Sequence, residues 1–306
     1  MKKLLLIFYS IIVQLYVPAQ STVSFLVLNI HGAGFYTRDK FRIPLKIGTC
    51  LSPNDEITLM PKSNISMVCN GSGVFPAEAG ATAVHIALKN LIDSCLRSQK
   101  GNGSQGLDYL MVHLKKEEEE SPKNNISLQE FGAPVRGCPD PGFAALPDTI
   151  GLWEIAIVIK YSPLDSAASY LLQIFGSPTA KSAIISLPWK QGRFIIDSKI
   201  MDALNYSDYF YTISKNGIEY CSRKCLIRKN HFVSGPSSMI AEKDPDFARL
   251  APDEQFFVQG FLCEKNHLVA EALNYYLKAA KRNPKNQLAN RQIQELEKFL
   301  EPGQRQ

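Results

Sequence analysis

The most reactive side chains in the sequence are seven cysteines, of which Cys221 and Cys225 form a C-x-x-x-C pattern that could support redox chemistry. If both lie on one strand, four steps of about 3.3 Å place their Cα atoms about 13 Å apart. A disulfide needs Cα atoms within about 7 Å, and a redox pair normally has two intervening residues at a helix start. We therefore predict that this pair serves packing or forms bridges to other cysteines. Because the number of cysteines is odd, at least one thiol stays outside any disulfide.

The histidines do not stand at the spacing of a metal site or a catalytic triad. His31 and His85 have no His, Cys or acidic partner at ligand spacing, so each is expected to be an ordinary strand or turn residue. His113, His231 and His267 fall in a linker, at a domain edge and in a turn. The chain has no Gly-x-Ser-x-Gly, no His-Glu-x-x-His, no phosphate loop and no Rossmann glycine set. The sequence thus predicts no catalytic, cofactor or metal site, and a protein that is not an enzyme.

Residues 1–20, MKKLLLIFYSIIVQLYVPAQ, have the three parts of a secretory signal peptide: two lysines, an apolar stretch over 4–13, and Pro18-Ala19 before Gln20. An uncleaved membrane anchor is the alternative, but the apolar run is shorter than the roughly 20 residues that span a bilayer. Membrane contact is expected only through this segment, if it is retained. The prediction is a periplasmic or cell-surface protein, and a formal net charge of +5 is too mild to imply nucleic-acid binding.

Residues 21–96 read as a first β domain. Short β-branched runs alternate with Gly, Pro, Asn and Asp about every ten residues, which is typical of an all-β sandwich or barrel. The predicted strands cover residues 23–30, 34–37, 56–59, 65–69 and 83–88. Pro53-Asn54-Asp55 and residues 70–73 are predicted turns, since Pro presets φ and both Gly and Asn tolerate positive φ.

The stretch from Val27 to Phe75 resembles the FecR-type β domain of bacterial envelope proteins. Both have a strand, a Gly turn, a Leu-x-x-Gly, an acidic residue opening the next strand, and a further strand leading to a Gly turn. The matched residues are Gly32, Leu45, Gly48, Leu51, Asp55, Ile57 and Gly71. This resemblance implies a small β barrel or sandwich in the cell envelope, used for sensing or protein contact and without catalysis.

Residues 97–149 are predicted to be a linker because they are polar, charge-blocked and rich in Pro and Gly. Within them, residues 115–120 could end a short helix in which lysines and glutamates pair, but four successive glutamates are more typical of a solvated loop. A calcium site is disfavoured since the alternating oxygen ligands and central Gly of such a site are missing.

Residues 150–235 return to period-2 and continuous apolar runs and are predicted to form an immunoglobulin-like β sandwich. Asn216-Gly217 lies between alternating strands and predicts a two-residue type I′ hairpin. Trp153, Tyr170 and Trp189 fall where a sandwich buries its large side chains. Asp197 and Asp202 have no nearby base and are expected to be turn or surface carboxylates.

Residues 250–306 contain a helical pattern. Phe256, Gly260, Ala272, Tyr276, Ala279 and Pro284 resemble a tetratricopeptide repeat, a helix-turn-helix unit of about 34 residues, although Cys263 stands where that family usually has an aromatic. A following helix over 287–300 resembles the capping helix of such arrays. The predicted fold is therefore mostly β with a C-terminal α-helical hairpin: two β-sandwich or barrel-like domains, one tetratricopeptide-like repeat and a cap.

Phe257 and Phe261 are the predicted protein-binding residues, because by the resemblance they would line the concave groove. One repeat cannot bury enough area alone, and two exposed phenylalanines would be a liability. They must be covered either by the second β domain or by a partner protein. The sequence thus favours a non-enzymatic exported envelope protein for protein–protein interaction, sensing or scaffolding. The alternative is a carbohydrate-binding or adhesive surface protein, which would require Trp153, Trp189 and the tyrosines to form one exposed row.

Overall fold

The computed structural model describes residues 23–69, 72–98, 104–120, 143, 146–163, 165, 167–205, 207–219, 221–228 and 244–302. The predicted signal peptide lies outside these residues. The chain divides into two compact units, one within residues 1–45 and 49–102, the other within 46–48 and 103–306. The prediction of a mostly β fold with a C-terminal helical part is confirmed. Across the described residues, no helix combines the length and apolar character needed to cross a membrane.

The first unit is built from two four-stranded antiparallel sheets. Its elements are β1 (Phe25–His31), β2 (Gly34–Arg38), β3 (Phe41–Pro44), β4 (Cys50–Leu51), β5 (Glu56–Leu59), β6 (Asn64–Cys69), β7 (Ser72–Glu78), β8 (Val84–Ala87), a 3-10 turn (Leu88–Leu91) and α1 (Ile92–Ser98). The sheet orders are β4-β1-β6-β7 and β3-β2-β5-β8. Alternate side chains of both sheets form one core that includes Phe25, Tyr36, Ile57 and Met67.

All five strands predicted in this unit are present, whereas β3, β4 and β7 were missed. β4 has only two residues, β3 is largely exposed and shows no alternating burial, and β7 begins inside the predicted turn at residues 70–73. A disulfide joins Cys69 at the end of β6 to Cys95 in α1. The buried carboxylate of Asp55 accepts hydrogen bonds from Arg38 Nη2 at 2.8 Å and from the Ser52 amide at 2.7 Å.

The second unit contains the remaining strands and helices. Its elements are α2 (Gln105–Glu120), β9 (Thr149–Leu152), β10 (Ile157–Lys160), β11 (Tyr170–Phe175), β12 (Ile185–Pro188), β13 (Arg193–Ile196), α3 (Ser198–Ala203), β14 (Asp208–Lys215), β15 (Ile218–Glu219), β16 (Lys224–Arg228), α4 (Pro245–Ala248), α5 (Pro252–Lys265), α6 (Val269–Arg282), α7 (Gln287–Leu296) and β17 (Leu300–Pro302). One sheet has the order β12-β11-β14-β16-β9, with β15 paired to β14, and the other has the order β13-β10-β17.

The hairpin at Asn216-Gly217 is confirmed, since both residues have positive φ, at 51° and 81°. The sheet around it differs from an immunoglobulin-like sandwich because β9 runs parallel to β16. The predicted linker also contains a helix, α2. The buried residues Leu107, Leu110, Met111 and Leu114 recur at helical spacing. In the sequence, the charged block that follows them made the segment read as a polar linker.

The helical tail is part of the second unit and not a separate module. The capping helix predicted over 287–300 stops at Leu296, and the chain then turns so that Leu300–Pro302 pairs antiparallel with β10. The amide of Lys160 in β10 donates to the carbonyl of Phe299 at 2.9 Å, which begins this pairing. The last described residues therefore complete a β-sheet whose central strand lies far earlier in the sequence.

Candidate functional site

Phe257 and Phe261 lie inside the helical tail. Their side chains are 1% and 0% exposed, and the Phe257 ring packs on that of Tyr276 with centroids 5.7 Å apart. Because α5 and α6 close on each other, the four-residue spacing that seemed to mark a binding groove places both rings in the interior. The pair is covered by the chain itself and offers no surface to a partner.

The two helices of the hairpin approach closely at Gly260. A Cβ atom at this position would lie 2.7 Å from both Cδ1 and Cε1 of Tyr276, and real Cβ atoms are not found that close to a neighbour. Glycine is thus required because the tyrosine ring occupies the volume of a side chain. This contact fixes the hairpin geometry, and it joins two of the positions that carry the repeat-like pattern.

A buried polar cluster lies where the three tail helices meet. The Tyr276 hydroxyl donates to Glu264 Oε2 at 2.7 Å, and Gln292 Nε2 donates to the same oxygen at 3.3 Å. Glu264 is only 6% exposed. Burial raises the pKa of Glu264 to about 7, and nearby Glu295 acts in the same direction, while the tyrosine hydrogen bond opposes them. The cluster is enclosed by protein, so it can hold or lose a proton but does not face a substrate.

A second buried carboxyl joins the tail to the β-sheets. Glu271 Oε1 in α6 accepts hydrogen bonds from the amides of Glu154 and Ile155, at 3.0 and 3.1 Å, in the loop between β9 and β10. Burial raises the pKa of Glu271. The amide of Gly151 in β9 also donates to the carbonyl of His267 at 2.7 Å. These bonds fix the α5–α6 turn and the start of α6 on the sheet.

The outward surface of the hairpin carries an aromatic–lysine platform formed by Phe256, Tyr275 and Lys278. The two ring centroids are 6.4 Å apart, and Lys278 Nζ lies 5.8 Å from the Phe256 centroid and 4.7 Å from the Tyr275 centroid. All three side chains are half-buried. Because amphipathic rings and a cation share one surface, the platform can contact both apolar and acidic groups of a protein.

Three exposed cations continue this surface beyond the platform. Lys281 and Arg282 lie on the last turn of α6, three and four residues after Lys278, and Lys285 follows the helix. None of these four cations takes part in the ion pairs found within the described chain. Basic residues at a helix C-terminus also interact favourably with the helix dipole, which accounts for part of their presence.

The large aromatic residues of the β-sheets do not form an exposed row. Tyr161 and Tyr170 are 1% and 3% exposed, and Trp189 packs on Tyr170 while its Nε1 donates to the Tyr161 carbonyl at 3.0 Å. Trp153 follows β9, and Trp189 follows β12. These two strands are the opposite edges of the six-stranded sheet. The arrangement that carbohydrate stacking would require is therefore not found at these four residues.

The polar residues singled out in the sequence have local partners. Asp197 caps α3 by accepting a hydrogen bond from the Ile200 amide at 3.0 Å, and Asp202 is exposed. His85 Nδ1 lies 3.0 Å from Thr58 Oγ1, and the ring of His113 stacks on Tyr109. Within the described part of the chain, no group of three His, Cys, Asp or Glu side chains could hold a metal ion. His231 lies outside that part.

Cys221 and Cys225 do not bridge each other, in agreement with the distance argument from the sequence. Cys221 is disulfide-bonded, whereas Cys225 remains a thiol. Buried Cys263 is also a thiol, and burial raises its pKa, so it stays protonated and poorly nucleophilic.

One buried lysine lies next to this cysteine pair. Lys224 Nζ donates to the Leu146 carbonyl, lies 3.2 Å from Asp148 Oδ1, and sits 5.0 Å from the Phe143 ring centroid. Burial lowers the pKa of Lys224, and Asp148 opposes this effect. These contacts anchor the segment before β9, which is a structural role.

The chain matches no family model and no curated protein.

Proposed function

We propose that this protein is a non-enzymatic exported protein of the cell envelope that binds another protein through the outward surface of its helical tail. The aromatic–lysine platform and its neighbouring cations carry this proposal. They form a surface in which positive charge outside the ion pairs found among the described residues adjoins two aromatic rings. Aromatic and arginine side chains, here Phe256, Tyr275 and Arg282, are enriched at protein interfaces. The partner that fits this surface presents acidic side chains beside an apolar one.

The anchoring of the tail supports this function because a binding surface needs a rigid support. Glu271, Gly151 and β17 attach the helices to both sheets of the second unit. Phe257 and Phe261 stabilise the hairpin from within, so they cannot contact a partner. We therefore assign the binding role that the sequence suggested for them to Phe256 and Tyr275, which are only half-buried.

We further infer that the first unit is a FecR-type β domain and the tail a tetratricopeptide-like unit with a cap. For the first unit, buried Leu45, Leu51 and Ile57 and the positive φ angles of Gly32 and Gly48 support the inference. For the tail, the close approach of Gly260 to Tyr276 supports it. The signal-peptide pattern of residues 1–20 supports export to the periplasm or the cell surface.

Affinity capture from an envelope extract tests the proposed function. The chain from residue 21 onward is compared with Phe256→Ser and Lys278→Glu, and with Phe41→Ser as a matched control. Phe41 is a 71% exposed aromatic in the first unit, far from the platform in sequence. A specific partner retained by the control and lost by both platform variants supports the proposal. Equal capture by all four proteins, with all of them folded by circular dichroism, contradicts it.

A further inference from the structure

Glu264 is a buried acid whose hydrogen-bond donors are neutral. Its side chain is 6% exposed and lies where α5, α6 and α7 meet. Tyr276 of α6 and Gln292 of α7, which donate to it, carry no charge. Among the described residues, no ion pair includes Glu264. A buried carboxylate without a cation partner is costly, so the closed helix cluster favours the protonated, neutral form of this side chain.

The titratable groups around this carboxyl leave it as the member of the cluster that changes charge near neutral pH. Burial raises the pKa of Glu264 to about 7, and Glu295 of α7 acts in the same direction, against the hydrogen bond from Tyr276. Glu295 is itself paired with Lys298 at 2.5 Å. Burial also raises the pKa of Tyr276 and that of Cys263 in α5, so both keep their protons.

Of the three helices around the cluster, α7 is the one held least firmly. The close contact of Gly260 with Tyr276 fixes α5 and α6 to each other, and Glu271 fixes α6 to the loop after β9. α7 has ten residues, against fourteen in each of the other two helices, and the three-residue strand β17 follows it. Short segments open at a lower free-energy cost than a tightly packed hairpin.

We propose that Glu264 is a pH-operated latch for residues 287–302. With the carboxyl protonated, α7 stays packed on the hairpin and β17 stays paired with β10. Above neutral pH the ionised carboxylate is better solvated by water than by the protein, so α7 moves away together with β17. Opening exposes the buried residues Ala289, Ile293 and Leu296 and one edge of β10. The latch does not use the aromatic–lysine platform, so neither proposal depends on the other.

The size of the effect follows from the pKa of the carboxyl in the two states. In the open state it is hydrated and has its ordinary pKa of 4.5, whereas in the closed state its pKa is about 7. The closed state binds the proton more tightly, so closure is strongest at low pH and weakens as the pH rises through 7. Between pH 6 and pH 8 the equilibrium constant for opening therefore rises about tenfold, and it changes little above pH 8.

Hydrogen exchange measured by mass spectrometry tests the latch on the chain from residue 21 onward. After correction for the pH dependence of intrinsic amide exchange, residues 287–302 should lose about tenfold in protection between pH 6 and pH 8. Residues 252–282 should lose less. Glu264→Gln, which has no proton to release, should give equal protection at both pH values. The proposal is overturned by constant protection of 287–302 in the unmodified chain, by an equal loss in 252–282, or by the same loss in Glu264→Gln.

A second pair of variants decides the question even if Glu264→Gln does not fold. Glu295→Gln removes the acid that raises the pKa of Glu264 and leaves the charge of Lys298 unbalanced, so residues 287–302 should lose less protection than in the unmodified chain. Glu297→Gln is the matched control, with the same charge change two residues later and an unaltered carbonyl for Lys160. It should behave like the unmodified chain. Equal losses in both variants would show that Glu264 does not control the opening.

Discussion

The buried carboxyl of Glu264 makes the stability of the helical tail depend on pH. Its pKa rises from 4.5 to about 7 on folding because the carboxylate loses water inside the helix cluster. Each pKa unit corresponds to about 1.4 kcal/mol, so the shift amounts to roughly 3 kcal/mol of unfolding free energy. The folded state binds the proton more tightly, so this contribution is complete below pH 4.5 and is lost as the pH rises through 7.

The variant Glu264→Gln isolates this contribution because an amide resembles the protonated carboxyl and can still accept from Tyr276. We expect the two proteins to differ by less than about 1 kcal/mol at pH 5 and the variant to be more stable by roughly 3 kcal/mol at pH 8. Urea denaturation at pH 5, 6, 7 and 8, followed by circular dichroism, gives the difference between the two proteins. Subtracting one from the other cancels the shift of Glu271, which has the same sign.

A second variant checks the direction of the tyrosine contribution. The hydrogen bond from Tyr276 lowers the pKa of Glu264, so Tyr276→Phe should move the loss of stability to higher pH. A stability difference between Glu264→Gln and the unmodified chain that is flat from pH 5 to 8 would refute the reasoning. So would a Glu264→Gln protein that is less stable at pH 8.

Three further predictions concern the frame of the second unit and its hairpin. Deleting residues 250–306 removes β17 from β10 and uncovers apolar surface, so solubility or melting temperature should fall, and an unchanged melting temperature would contradict this. Gly260→Ala should destabilise the tail by about 1–3 kcal/mol in urea titrations, because the added methyl group would overlap the ring of Tyr276. Gly80→Ala is the control, since the space around Gly80 is open. Gly217→Ala should lower stability by about 1 kcal/mol because of its φ of +81°; an unchanged unfolding midpoint would contradict this.

The sequence predicted best where local chemistry decides the backbone. Asn216-Gly217 requires positive φ at both positions whatever surrounds it, and the strands flanking it alternate with period 2. Residues 56–59 likewise became a strand with the predicted bounds. These features depend on a few neighbouring residues, so no knowledge of the tertiary structure was needed.

Features that depend on distant residues could not be predicted in the same way. Leu300 was predicted to end an amphipathic helix over 287–300, and only the pairing of Leu300–Pro302 with β10 makes this segment a strand. The burial of Phe257 and Phe261 depends on how closely α5 and α6 approach. Gly260 indicated a close approach of two helices, but it did not show which faces of the helices would meet. The platform was missed because Phe256 and Tyr275 come together only after the hairpin closes. The spacing of Tyr275 and Lys278, three residues apart, was the one local signal for it.

The pairing of β17 with β10 also constrains the order in which the second unit can fold. The three-stranded sheet is incomplete until residue 302 has been synthesised and has returned to a strand formed much earlier. Until then, the edge of β10 that pairs with β17 stays uncovered. Whatever the site of folding, this sheet can be completed only after residue 302 is available, and a chaperone that protects the β10 edge in the meantime would raise the yield of folded protein.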